Sequence, residues 1–165
     1  MKRWLNHISI RAKLGILTLV GLGGLLLIAM FFVYEQYEQS FAQRQAQVRH
    51  AVETASGVLA WAEQQEANGT WSRAEAQAMA SAAIAKMRYG YGEYFWINNL
   101  EGTIVMHPIR PELEGQGGDA VRDANGVLVV MEATRIGRST SGQGFFNYVW
   151  AKPGETEPVG KISYA

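Results

Sequence analysis

Tyr94 and Trp96 stand two apart in "GEYFWINN", Tyr148 and Trp150 two apart in "GFFNYVWAKPG", and Lys161 and Ser163 two apart in "VGKISYA". In a strand this spacing sends both side chains of each pair to one face. Such faces offer aromatic bodies with hydrogen-bonding tips and one ammonium, a donor set suited to a small organic anion. The same aromatics also suit a packed core, and a strand lysine belongs either on a solvated face or against a bound anion. His107, followed by Pro108, ends a strand-like run. It is either structural or at the rim of a loop that closes over the sheet.

Other chemistry has little support. His7, His50 and His107 fall in three different segments, so they do not gather on one metal. The chain has no cysteine, which excludes disulfides and thiolate sites. No nucleophile elbow, phosphate loop or dinucleotide fingerprint is present. "DAVRDANG" lacks the alternating acids of a calcium loop, because Val121 stands where a ligand precedes Asp123. Asp123 and Asn125 read instead as turn and cap residues. A hydrolase using His107 as base has no partner nucleophile, so no catalytic residue, metal or cofactor is expected.

These side chains need strands to hold them. "EYFWINN" and "GTIVMHP" alternate with period two and are joined by a short Asn/Gly link, which predicts a hairpin. The glycine-rich run 109–126 reads as a loop over the sheet, too polar for core, with room for a short helical turn. "VLVVMEATRIGRS" predicts a helix entered from Asp123 or Asn125, and two further strands flank a Pro-Gly turn. Upstream, Phe41, Val48, Val52, Ala55, Val58, Leu59 and Ala62 form a helical stripe over 35–67. "NGT" at 68–70 ends that helix and is also a weak glycosylation pattern. Ser72 with Glu75 then opens a second, Ala-rich helix by a capping box, and Gly90 and Gly92 are expected to stop it.

Residues 14–34 carry no charge over 21 residues, long enough to cross a hydrocarbon layer of about 30 Å and longer than a signal peptide's apolar region. Lys2, Arg3, Arg11 and Lys13 precede it without an acid, so the positive-inside rule puts the N-terminus in the cytoplasm. The net charge of zero thus averages two compartments: beyond the span 11 basic residues face 15 acidic ones. That balance argues against nucleic-acid binding. The expected divisions are a cytoplasmic tail 1–13, a transmembrane helix 14–34 and a periplasmic domain 35–165.

"MRYGYGEYFWINNLEGTIVMHPIRPELEG", followed by "DANG", "GQGFFNYVWAKPG" and "KISYA", resembles the single-Cache sensor domain of the second type, found in bacterial chemoreceptors and histidine kinases. "NHISIRAKLGIL" is similar to the start of many methyl-accepting chemotaxis proteins. The resemblance implies an α+β fold: a long N-terminal helix, a short helix, then a PAS-like antiparallel sheet with a pocket under a loop. It also implies a short carboxylate as ligand, such as acetate, propionate, pyruvate or lactate. It assigns Tyr94 and Trp96 to the pocket wall, His107 and Pro108 to the rim, and Tyr148 and Lys161 to the ligand carboxylate. Arg88 matches a family position that either reaches the ligand or braces the helix.

Where the family usually carries an aspartate, after the first strand, this chain has Asn98-Asn99. The substitution is expected to be tolerated, because both residue types form such turns. The resemblance also implies a last, central strand, a second span and a signalling region after Ala165, and without that strand two sheet edges are left unpaired. The expectation is a periplasmic, membrane-embedded, homodimeric receptor input that binds a two- to four-carbon monocarboxylate. The alternatives are the input of a sensor histidine kinase and a remnant without output.

Overall fold

The structure is a computed structural model that describes residues 9–165. Lys2, Arg3 and His7 lie outside the described residues. The chain forms two compact units, residues up to Arg44 and residues from Gln45 onwards. Helix α1 is Ile10–Ala67, and in the first unit it carries the apolar stretch 14–34, none of whose side chains is buried. This stretch is long and apolar enough to cross a membrane.

In the second unit α1 contributes Val48, Ala55 and Ala62, seven apart and buried, as the helical stripe predicts. The helix ends in a turn where Gly69, at φ +72°, donates to Glu66 and Thr70 donates to Gln65. Helix α2 (Arg73–Lys86) opens with the predicted capping box: Ser72 Oγ accepts the Glu75 amide, and Glu75 accepts the Ser72 amide at 2.8 Å. It stops at Lys86, short of the expected glycines. Met87 is already extended, and Arg88 Nη1 donates to the Ala85 and Met87 carbonyls that the helix end leaves open. Gly90 and Gly92 serve the next turn, in which Tyr89 and Glu93 exchange backbone bonds. Ala62, Ala76 and Ala80 let α1 and α2 pack closely beside Trp71.

Strands β1 (Ile97–Asn98) and β2 (Ile104–Met106) form an antiparallel pair with a register shift after Ile97. β1 is shorter than the alternation predicts, since residues 94–96 have no ladder partner. A 3-10 turn, Pro111–Leu113, begins the loop. That loop is less peripheral than its polarity predicts: Leu113 and Val121 are buried with Ile104 and Val130. Helix α3 (Val129–Gly137) starts from Leu128 with no side-chain cap. Neither Asp123 nor Asn125 caps it, because Asp123 Oδ1 is engaged by the Asn125 and Val127 amides in the preceding turn.

Strands β3 (Phe145–Ala151) and β4 (Pro158–Tyr164) pair antiparallel, with Tyr148 opposite Lys161 and Phe146 opposite Ser163. Among the described residues the two hairpins do not pair with each other. Phe95 packs with Ala55, Ile84 and Met106 beneath the helices, while Phe146 packs with Val129, Ala133 and Ile136 of α3. Burying a side chain such as Ile84 contributes about 1.5–3 kcal/mol. These two apolar bodies leave Tyr94 and Trp96 between them.

Candidate functional site

Alternation along 94–97 decides what the site contains. Phe95 and Ile97 join the cluster under α1 and α2, so Tyr94 and Trp96 face the opposite way. There, with Tyr148 and Trp150 of β3, His107, and Leu113 and Val121 of the loop, they line a half-open cavity of ≈ 20 Å³ for the centres of water-sized atoms. A volume of about 10–15 Å³ by this measure holds one water. The space as it stands therefore holds about one water, and a short acid enters it only as the surrounding side chains give way.

Each wall residue is held from behind. Trp96 Nε1 donates to Asn98 Oδ1 at 3.2 Å, and Asn98 Nδ2 donates to Thr134 Oγ1 of α3 at 3.2 Å. An aspartate at 98 would lack that donor. Asn99 accepts the Thr103 amide at 2.8 Å, a role an aspartate fills equally well, so the turn forms as expected. Phe146, Tyr148 and Trp150 form a ladder with ring separations of 5.5 and 6.4 Å, and Trp96 meets Tyr148 edge-on. Tyr148 OH shares a hydrogen with Ser163 Oγ at 3.1 Å. Burial pushes both the Tyr148 and Tyr94 phenols up, with Glu93 adding to the shift at Tyr94, so both stay neutral donors.

His107 is buried, and its Nδ1 accepts the Arg110 amide at 3.0 Å. In the neutral ring the proton therefore sits on Nε2, which is the donor His107 can offer an acid. Burial and the nearby Arg110 charge keep the imidazole below its ordinary value. Arg110 lies 5.6 Å over the Trp150 ring and pairs with Glu112 at 2.8 Å. Pro108 is half-buried next to His107 and does not line the cavity.

Lys161 faces the same side of its hairpin as Tyr148, but among the described residues it does not line the cavity. Its ammonium sits 5.2 Å from the Tyr94 ring centroid and 2.9 Å from Glu93 Oε2. Arg88 lies apart, exposed and bonded to the end of α2. Of the seven residues singled out from sequence, Tyr94, Trp96, His107 and Tyr148 meet around one cavity, Lys161 stands behind Tyr94, Pro108 lies beside His107, and Arg88 is elsewhere. Sequence reasoning missed Glu93, Asn98 and Arg110, and it missed Leu113 and Val121 as wall residues.

Asp123 ties the loop to β3, as backbone bonds of Gly115, Gln116 and Gly118 tie it to Ile104 and Gly102. Its Oδ2 accepts the Val149 amide of β3 at 2.9 Å while Oδ1 accepts Asn125 and Val127 at 2.9 and 2.7 Å. Burial alone would raise its carboxyl, but these N–H donors outweigh that and hold it below the ordinary range. A wider apolar groove of ≈ 270 Å³ lies on the other side of Tyr94 and Trp96, between Val48, Ala55 and Ile84 and the end of β4. No charged side chain lines it among the described residues.

A family model described as Single Cache domain 2 matches residues 40–165. Methyl-accepting chemotaxis protein McpP of Pseudomonas putida is 36% identical over 160 residues. That match covers 97% of this chain but only 29% of the relative, so the chain spans under a third of that receptor's length. A solved periplasmic sensor domain of a chemotaxis protein superposes with a TM-score of 0.71 at 45% identity, covering 75% of this chain and 85% of that one. A Cache chemosensory domain whose structure explains carboxylic acid recognition superposes with a TM-score of 0.71 at 40% identity, covering 77% and 86%. The α+β fold is that of these sensor domains. The chain belongs to the Single Cache domain 2 family.

Proposed function

We propose that this chain is the sensory input of a transmembrane chemoreceptor and that its cavity binds a monocarboxylate of two to four carbons. The observation that carries this reading is the convergence of Tyr94, Trp96, His107 and Tyr148 on ≈ 20 Å³ of space, with the Lys161 ammonium behind Tyr94. The apolar ring faces receive a short alkyl group. The neutral Tyr94, Tyr148 and His107 donors meet the carboxylate, and Lys161 turns toward it as the balancing charge. Charge-assisted hydrogen bonds of this kind contribute about 1.5–3 kcal/mol each. A ligand of about four to six heavy atoms gains at most about 1.5 kcal/mol per atom, so micromolar or weaker dissociation constants are expected. A neighbour in the same fold described for carboxylic acid recognition supports the ligand class.

In this reading residues 1–13 are cytoplasmic, 14–34 span the inner membrane and 35–165 form the periplasmic sensor, which works as a homodimer and passes ligand occupancy to the receptor's output. Calorimetry with acetate, propionate and pyruvate on the full chain in detergent tests the ligand. Binding by the parent that is lost in Lys161→Ala is the expected result. Equal affinity in the two proteins removes Lys161 from the site, and no heat with any acid removes the ligand class.

A further inference from the structure

The Lys161 ammonium already has a carboxylate. Glu93 Oε2 lies 2.9 Å from Nζ, with the lysine side chain 10% exposed and the glutamate 33%. Beyond its Cα, a glutamate side chain is chemically a tethered propionate. The ion pair is therefore an intramolecular version of the complex assigned to Lys161 above, and this inference rests on that assignment.

The two partners differ in their freedom to leave. A nearly buried ammonium needs a counter-charge at all times, because burying an unpaired ion is costly. Glu93 closes a turn whose Gly90 and Gly92 take φ of +52° and +98° and whose tip, Tyr91, is fully exposed. From such a turn Glu93 reaches water by a change of rotamer.

We propose that Glu93 is a specificity-determining residue of this site: it holds Lys161 when no acid is bound, and the incoming acid must displace it. The exchange keeps the number of carboxylates on Lys161 constant, so the site accepts one negative charge. A diacid places its second carboxylate near the displaced Glu93, and like charges repel. Glu93 thereby lowers affinity for every acid and lowers it more for dicarboxylates.

The test is calorimetry on the full chain in detergent with sodium propionate and sodium malonate, comparing the parent, Glu93→Gln, Lys161→Gln and the double variant. Freeing a partly exposed ion pair is expected to tighten propionate about fivefold in Glu93→Gln. Malonate should gain more than propionate, and Glu93→Gln should not restore the binding that Lys161→Gln loses. The unliganded Glu93→Gln protein should melt lower than the parent and gain more from propionate, a readout that separates lost ion pairing from misfolding. Propionate affinity unchanged or weakened in Glu93→Gln, with Lys161→Gln still impaired, overturns the role of Glu93 and leaves the Lys161 site standing. Unchanged affinity in Lys161→Gln overturns both.

Discussion

The rings of Tyr94 and His107 lie 5.2 Å apart at 55°, with the imidazole fixed through Nδ1 to the Arg110 amide. Burial first, then the Arg110 charge, disfavour the imidazolium in the folded chain. The unfolded chain therefore takes up this proton at higher pH than the folded one. Stability is lost as pH falls through the unfolded value of about 6.5 toward the lower folded value. The melting temperature should drop on acidification across that window. His107→Gln, which keeps an acceptor for Arg110, should flatten the slope, and an equal slope in both proteins would show that another group causes it.

The cavity's size predicts a chain-length limit. Affinity should fall from propionate to butyrate, because one methylene too many in a tight apolar site costs about tenfold or more. Val121→Ala removes bulk from the wall and should narrow that gap. Competition calorimetry reads the ratio, and an unaltered ratio would place the alkyl chain elsewhere.

How far this site is legible in the sequence depends on the range of each signal. Period-two alternation is local, so the shared face of Tyr94 and Trp96 and the Phe146–Tyr148–Trp150 ladder follow from spacing alone. The capping box at Ser72 is equally local. Glu93 and Lys161 are 68 residues apart, and only the folded chain brings them together. Leu113 and Val121 are hidden by the averaged polarity of the glycine-rich run, although each is buried on its own. Asp123 resembles a helix cap by type, but its oxygens are committed to a turn and to Val149 before α3 begins. The α2 end is misread for a similar reason, since an Arg88 side chain bonding the last carbonyls leaves no pattern that glycine counting detects.

Close packing under the loop gives a stability prediction. A Cβ on Gly118 would lie 2.9 Å from Val130 Cβ and 3.0 Å from the Gly102 carbonyl oxygen, both held by α3 and the β1–β2 link. Gly118→Ala should cost about 1–3 kcal/mol in chemical denaturation. Gly160→Ala meets nothing within 4 Å and serves as the control expected to stay near the parent. Equal losses in the two would contradict the packing account.

Loss of the α2 cap should be felt locally. Ser72→Ala leaves the Glu75 amide without its acceptor and should cost about 0.5–2 kcal/mol. Hydrogen exchange of the first-turn amides should accelerate, while the β3–β4 ladder keeps its protection. Uniform acceleration would mean that the helix start and the sheet open together.

The Asp123 tether also bears on timing. With Oδ1 holding its own turn and Oδ2 on Val149, the loop is stapled to β3 near its C-terminal end, and swinging it open would break that charge-assisted bond together with the backbone bonds that join Gly115, Gln116 and Gly118 to Ile104 and Gly102. Exchange of an occupant is then left to rotations of individual side chains around the opening, which run far faster than segmental unfolding. Residence times are expected to be brief, so occupancy follows the surrounding concentration with little lag.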